Sequence, residues 1–337
     1  MTRKPVAIHH EGTWKGHEIL TRSDWSHRLT KKEMDDLDQA LRSSTNLAMD
    51  QIGRDTFPLP VLGPSLNRIQ QSLENGSGVT LIRGFPADQY TEAEAKRLFW
   101  GISCHIGTPV SQSAEGERLF SVCNAGYRSD DPRHRGPNSS KRLSFHSDRC
   151  DVIGFLCWRQ ARSGGENEIV NSIALHNEIL QQRPDLLEQL YEPFYYKRHT
   201  VDLGNEKPWC QQPVFSVHEG HFACNILRVL IDRAYALPEI PDMTDLQREA
   251  LDFVETTAGN PSLHFQFRQE RGDILLMNNF STLHRRSAFE DHEEPELRRH
   301  LFRIWLSVPN SRPLHPLFKD NYGSTGAGDL RGGMKAR

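Results

Sequence analysis

The chain has 337 residues, of which 36% are hydrophobic and 25% charged, and its formal net charge is −3. That is ordinary globular composition, enough for one large domain or two small ones around a buried core. Nothing in the near-neutral balance calls for nucleic acid or an anionic membrane, and no apolar run reaches membrane-spanning length.

Residues 1–10 lack the apolar stretch of a secretory signal, so a cytoplasmic location is expected. Thr30-x-x-Glu33 is a capping box, followed by Met34, Leu37 and Leu41 at helical spacing. Residues 79–82 read as a strand. Thr91-x-x-Glu94 repeats the capping device before Leu98, Phe99 and Ile102. Residues 124–142, rich in Arg, Asp, Gly, Pro and Ser, form a loop of the length used for lids or left disordered. A strand at 152–158 follows, then helical pieces at 174–182 and 185–191 separated by Pro184, then a polar loop at 200–212. Strands are predicted at 214–217 and 222–226, and a third box, Thr244-x-x-Gln247, opens a helix with Leu246, Ala250, Leu251 and Val254. The alternation of Leu263, Phe265 and Phe267 with His264 and Gln266 gives a half-buried strand; residues 274–277 and 301–308 give two more. From Asn321 the glycine-rich tail is expected to be flexible or draped over the surface.

Strands cluster after about residue 140 with helices between them, which points to a β-core with helical decoration rather than a βαβ series. Six cysteines (Cys104, Cys123, Cys150, Cys157, Cys210 and Cys224) include no C-x-x-C pair. Buried reduced thiols are expected, not a disulfide framework.

The chemistry begins at Ser144-Phe145-His146-Ser147-Asp148. In extended backbone, residues i and i+2 project to one side, so His146 and Asp148 can reach a common point. An imidazole and a carboxylate supply two ligands to a divalent metal. A third ligand completes the 2-His-1-carboxylate set of non-haem Fe(II) oxygenases. Alone, the pair is close to what chance supplies in a chain with 16 histidines. His176-x-Glu178 lies on a predicted helix, where i and i+2 diverge, and His292-x-Glu294 sits in a charged, solvated run. His284, ending the polar segment after the 274–277 strand, is the candidate third ligand. Beyond it, Phe302, Ile304, Leu306 and Val308 make one apolar strand face, with Arg303 on the other between Leu301 and Trp305. A guanidinium there is costly unless an anion meets it, and a bidentate carboxylate is the natural partner. Arg299 shares its parity and is second choice; a structural carboxylate such as Asp273 is the other available partner for Arg303.

The ordered set His146-x-Asp148, Gly164-Gly165-Glu166-Asn167, Gly272-Asp273, His284 and Arg299 with Arg303 resembles the taurine dioxygenase (TauD/TfdA) family of Fe(II)/2-oxoglutarate-dependent dioxygenases. The resemblance runs from residue 106 to about residue 309. It implies a mainly β fold with helical decoration around a double-stranded β-helix (jelly-roll, clavaminate synthase-like) core. A single domain is implied, with residues 1–105 packing on a core of 106–310 and its lid loops, and 311–337 as an extension. It further implies Fe(II) held by His146, Asp148 and His284, with 2-oxoglutarate and O₂ as co-substrates. Arg303 matches the arginine on the distal carboxylate of 2-oxoglutarate, and Arg299 a nearby second arginine. Relatives often place Thr or Ser after the Gly-Gly-acid run; here Asn167 stands there, and its amide can donate the same hydrogen bond. The implied reaction hydroxylates an unactivated C–H bond and releases succinate and CO₂. Asp148 keeps a carboxylate where iron halogenases leave room for chloride.

Asn278 and Asn279 are read as orienting the loop before His284, with a substrate-facing role as the alternative. Arg286 either contacts substrate or co-substrate or forms a salt bridge, and Trp158 and Trp305 are read as core. Arg128, Arg133, Arg135, Lys141 and Arg142 crowd the segment before the iron motif, which is either a site for an anionic substrate or a solvated basic loop. The expected partner is a small-molecule substrate, with no nucleic acid and no membrane; a homo-oligomer is expected by analogy alone. Two other classes fit the same ligands: a zinc-dependent hydrolase or isomerase, and a jelly-roll binding protein without catalysis.

Overall fold

The computed structural model describes residues 5–126, 136–198 and 205–335, so Arg128, Arg133 and Arg135 and part of the 200–212 loop lie outside it. The three capping boxes open helices Lys31–Ser43, Glu92–Cys104 and Asp245–Ala258, where the hydroxyls of Thr30, Thr91 and Thr244 accept the backbone N–H three residues ahead. Pro184 is the first residue of helix Pro184–Tyr191, a position where its missing N–H costs nothing. Two helices carried no such signal: Gly63–Asn75, which buries Leu66, Ile69 and Leu73, and Arg228–Tyr235.

The centre is a jelly roll of two facing sheets. The larger runs in the order Ser26–Arg28, Val79–Arg83, Ile274–Asn278, Val152–Arg159, His300–Ser307 and Thr108–Val110, with Leu119–Val122 also paired to His300–Ser307. Its pairings are antiparallel except the first. The smaller places Asn167–Asn171 between His264–Phe267 and Thr282–Arg286, again antiparallel.

Side-chain alternation gives the larger sheet two buried faces. Ile82, Leu156, Ile274, Leu276, Phe302, Ile304 and Leu306 pack outward against the first three α-helices. Leu81, Ile153, Leu275, Met277 and Trp305 point inward and meet Ile169 and Phe265 of the smaller sheet. Double burial explains why these strands read as near-continuous apolar runs, each buried side chain contributing roughly 1.5–3 kcal/mol. Behind the smaller sheet, Val170 and Leu283 pack with Leu175, Leu187 and Val254 of the later helices.

Of the two expectations for the tail, the surface-draped one fits: residues 323–330 are exposed or half-buried, and the end is anchored where Arg331, 2% exposed, sets its Nε 2.7 Å from Asp151 Oδ1 and Gly333 N donates to Arg149 O at 2.7 Å. Losing the tail would leave the Asp151 carboxylate buried without its guanidinium, a costly state that keeps the glycine-rich end in place. All six cysteines are free, and among the described residues no helix is long and apolar enough to cross a membrane.

Candidate active site

His284 lies on the strand Thr282–Arg286 and not in a loop as its polar neighbours suggested. All five residues of that strand are buried, because its arginines find partners; Arg285, for one, reaches Glu168 and Glu255. His146 belongs to no extended ladder. It forms an isolated antiparallel bridge with His284, in which His146 N donates to His284 O at 3.0 Å and His284 N to His146 O at 2.9 Å. Residues so paired project to the same face, and the two imidazole centroids stand 4.4 Å apart. Asp148, two residues on, joins them: its Oδ2 is 3.5 Å from His284 Nε2 and 3.9 Å from His146 Nε2.

Three features show that this cluster fits a divalent metal. One ligand atom from each residue lies within 4.8 Å of the others, somewhat wider than the roughly 3 Å spacing that donors about 2.1 Å from one ion adopt. His146 Nδ1 is 2.9 Å from the Ser144 carbonyl, which can only accept, so Nδ1 carries the proton and Nε2 presents its lone pair. Asp148 Oδ2 is buried without a hydrogen-bond partner. Burial pushes the Asp148 carboxyl up, but the Arg303 guanidinium and both histidines together hold it well below the usual range. Burial, then the neighbouring His284, push His146 down to about 4. At neutral pH the set is thus one carboxylate with neutral His146, the protonation state a metal requires. Asn279 orients it, its Oδ1 accepting from Asp148 N at 2.9 Å, while Asn278 is tied to Glu74 and to the turn at Phe280.

The structure separates the two arginines. Arg303 points inward beside the cluster, with Nη1 3.6 Å from Asp148 Oδ1 and Nε donating to Gln112 Oε1 at 2.7 Å. It lies over the rings of Phe120 and Trp305, and its Nη2 is buried without a partner. Asp273 faces Arg83 instead, at 3.8 Å. Arg299 precedes a register shift between His300 and Leu301, and its side chain enters a different space. With Asn167, Arg268, Gln269 and Cys157 it lines a narrow cleft. Arg299 Nη1 is buried without a partner, and burial lowers its pKa to about 10. Gly164 and Gly165, both at positive φ, close the cleft wall; a Cβ on Gly165 would come within 3.4 Å of Arg299 Nε.

Register ties the cleft to the cluster. Ile169 pairs with His284 and Asn167 with Arg286, so Asn167 and Arg286 stand one side-chain row, about 7 Å, along the face that carries His284. Arg286 donates to the carbonyls of Ser287 and Lys141, and burial with the nearby Arg299 charge lowers its pKa to about 9. Sequence reasoning missed Arg268, Gln269 and the Gln112 contact, none of which has a local signature. Of the rivals, His176 is buried in its helix against Tyr191, and Glu294 is exposed. Trp305 is core, as is Trp158, although Trp158 also carries Arg271 over its ring.

A family model described as taurine catabolism dioxygenase TauD, TfdA family matches residues 40–305. The chain is 29% identical to FR-33289 synthase of Streptomyces rubellomurinus (strain ATCC 31215), over 92% of each protein. It is 28% identical to taurine hydroxylase-like protein SAT17 of Stachybotrys chartarum, covering 88% of this chain and 79% of that one. Among solved structures, asparagine oxygenase with Fe(II), 3-hydroxyasparagine and succinate superposes with a TM-score of 0.65 at 15% identity, covering 84% of this chain and 93% of that one. The non-heme iron oxygenase OrfP with Fe and alpha-ketoglutaric acid gives 0.63 at 14% identity, over 90% and 99%. With most of its length matched, the chain belongs to the TauD/TfdA family of Fe(II)/2-oxoglutarate-dependent dioxygenases.

Proposed function

We propose that His146, Asp148 and His284 hold Fe(II), and that the enzyme hydroxylates a C–H bond of a small molecule while 2-oxoglutarate and O₂ become succinate and CO₂. The observation that carries this reading is the pairing of a three-residue ligand cluster with a neighbouring cleft whose arginine has an unpartnered, buried N–H group. When bound, the iron supplies the activation of O₂ that accompanies decarboxylation of the 2-oxo acid. One oxygen atom of O₂ goes to the substrate and the other to succinate, so the reaction balances without a further reductant.

The residues divide the remaining work. Arg299 and Asn167 hold the distal carboxylate of 2-oxoglutarate, Arg299 by charge and Asn167 by an amide N–H. Arg303, pinned by Gln112, stays beside the metal ligands, where it holds Asp148 ionised and faces the reacting end of the bound molecules. This exchanges the order expected from sequence, in which Arg303 was the distal anchor and Arg299 the second arginine. Placement supports the exchange, since of these two arginines Arg299 lines the cleft with Asn167 and Arg303 does not.

The substrate is taken to be a small metabolite, as it is for asparagine oxygenase and OrfP, whose complexes hold hydroxylated amino acids. Arg142 adds little to an anion site, because its Nη2 already lies 3.4 Å from Glu168. Anaerobic addition of Fe(II) and 2-oxoglutarate tests the assignment: a weak visible charge-transfer band is expected in the wild type and none in Asp148→Ala. Candidate substrates are then screened by the succinate they release. A wild type that forms no band and turns over without O₂ would overturn the proposal.

A further inference from the structure

We propose that the C-terminal tail, residues 321–334, is a positioning element for the metal site, holding the turn that carries Asp148 against the arm that carries Arg303. The inference rests on the metal assignment above, and the tail lies beyond the family match, which ends at residue 305.

The turn after Asp148 is tied on two sides. From the core, Cys150 N donates to Asp148 O, Asn279 takes up Asp148 N, Asp151 N donates to Leu306 O, and Val308 N donates to Asp151 Oδ2. The tail adds a second set of restraints. Arg149 is gripped twice, its Nη1 by Asn321 Oδ1 at 2.9 Å and its carbonyl by Gly333 N at 2.7 Å. Asp151 receives Arg331 Nε at 2.7 Å, and both side chains of that pair are 0% exposed. On the other side of Asp148, Ser147 Oγ accepts from Asn225 Nδ2, which also reaches Tyr322 Oη at 2.8 Å. Residues at both flanks of the metal ligand are therefore tied to one short segment.

That segment also touches the opposite arm. Met334 N donates to Ser111 O at 2.8 Å, next to Gln112, whose side chain fixes Arg303. Two glycines make the double contact possible. Gly332 and Gly333 lie at φ +78° and +71°; a Cβ on Gly332 would fall 2.7 Å from Arg149 O, and one on Gly333 2.9 Å from Val110 Cβ. At these two positions the tail passes too close to the two arms to admit a side chain. The two arms it joins carry Arg303 and Asp148, whose Nη1 and Oδ1 stand 3.6 Å apart. Groups behind metal ligands that orient them typically govern metal affinity by 10–100-fold.

The test uses the full chain. Wild type, Gly332→Ala, Arg331→Lys and a chain ending at Leu330 are compared with Leu37→Ala, a core variant far from the site that controls for general destabilisation. Two quantities are read: the dissociation constant for Co(II), by competition with a chelator, and the visible d–d spectrum of the Co(II) form. The melting temperature of each metal-free protein is recorded alongside. The proposal expects Co(II) to bind at least about tenfold more weakly in Gly332→Ala and Arg331→Lys, with a shifted d–d spectrum, while Leu37→Ala keeps the wild-type constant and spectrum. Unchanged affinity and spectrum in folded Gly332→Ala would overturn it, as would an equal loss of affinity in Leu37→Ala. If the shortened chain does not fold, the two point variants decide. Failure of wild type itself to bind Co(II), or binding that survives Asp148→Ala and His284→Ala, would count against the metal assignment instead.

Discussion

Replacing Arg299 by Met separates the two arginines most sharply. Arg299 Nη1 is buried without a protein partner, and burial lowers the group's pKa to about 10. In the ligand-free protein this charge is a burden, so Met, which fills similar volume without it, is expected to leave the melting temperature equal or higher. In the complex the balance reverses. Truncating one member of a buried, hydrogen-bonded charge pair costs about 2–5 kcal/mol, and a mid-range value of about 3 kcal/mol raises the dissociation constant roughly 140-fold. Arg303→Met removes a group 3.6 Å from Asp148 and held by Gln112, outside the Asn167 cleft, and is expected to change 2-oxoglutarate affinity by less than about tenfold. The assay is anaerobic titration of 2-oxoglutarate into the Fe(II)-loaded protein, following the charge-transfer band at saturating metal. A large loss in Arg303→Met with near-wild-type binding in Arg299→Met would refute the cleft assignment and restore the order expected from sequence.

Other expectations follow from the same contacts. Asn167→Ala removes one amide donor to a carboxylate, worth about 1.5 kcal/mol, so the 2-oxoglutarate dissociation constant should rise about tenfold; Asn167→Thr, which keeps a donor, should recover most of it. Asp148→Ala and His284→Ala should each abolish stoichiometric metal binding in equilibrium dialysis with unchanged far-ultraviolet circular dichroism, and retention of one metal per chain in either would sink the triad. Burial lowers His300 from its ordinary 6.5 to about 4. Between those values the unfolded chain binds a proton that the folded one excludes, so this contribution is fully present above pH 6.5 and is lost as pH falls towards 4. At pH 5 the loss is on the order of 2 kcal/mol, and the melting temperature of His300→Gln should fall less between pH 7.5 and pH 5 than that of wild type. Parallel declines in the two proteins would contradict this reading.

Local signals were readable from sequence and long-range ones were not. The capping boxes at Thr30, Thr91 and Thr244 each satisfy a helix end within four residues, so the three helices form where expected. The 300–307 strand was legible because its alternation places Phe302, Ile304 and Leu306 against helices and Arg303 inside. Thr282–Arg286 was not, since a buried strand of sequence Thr-Leu-His-Arg-Arg has no apolar period and depends on Glu168 and Glu255 for its charges. Strand parity put Arg299 and Arg303 on one face, but the register shift at His300 and Leu301 that sends them to different spaces leaves no mark in the sequence. The same holds for Gln112, 191 residues from Arg303, and for Arg331, 180 residues from Asp151.

The fold alone does not decide between an oxygenase and a binding protein, because a jelly roll can carry either. What decides is how the interior is charged. Arg286, Arg299 and Arg303 are buried within it, and burial is the largest influence lowering the pKa of each. A structural interior would pair such groups or replace them with apolar side chains at a gain in stability. Here Arg299 Nη1, Arg303 Nη2 and Asp148 Oδ2 are all left without hydrogen bonds. A divalent cation at Asp148 and a dicarboxylate reaching Arg299 would satisfy two of these atoms while adding no net charge. Stability and ligand binding are then linked: at a hundredfold excess over its dissociation constant, a ligand that binds only the folded chain adds about 2.7 kcal/mol. Buried charged groups that keep unsatisfied atoms are what a site built around a metal and an anion together would require.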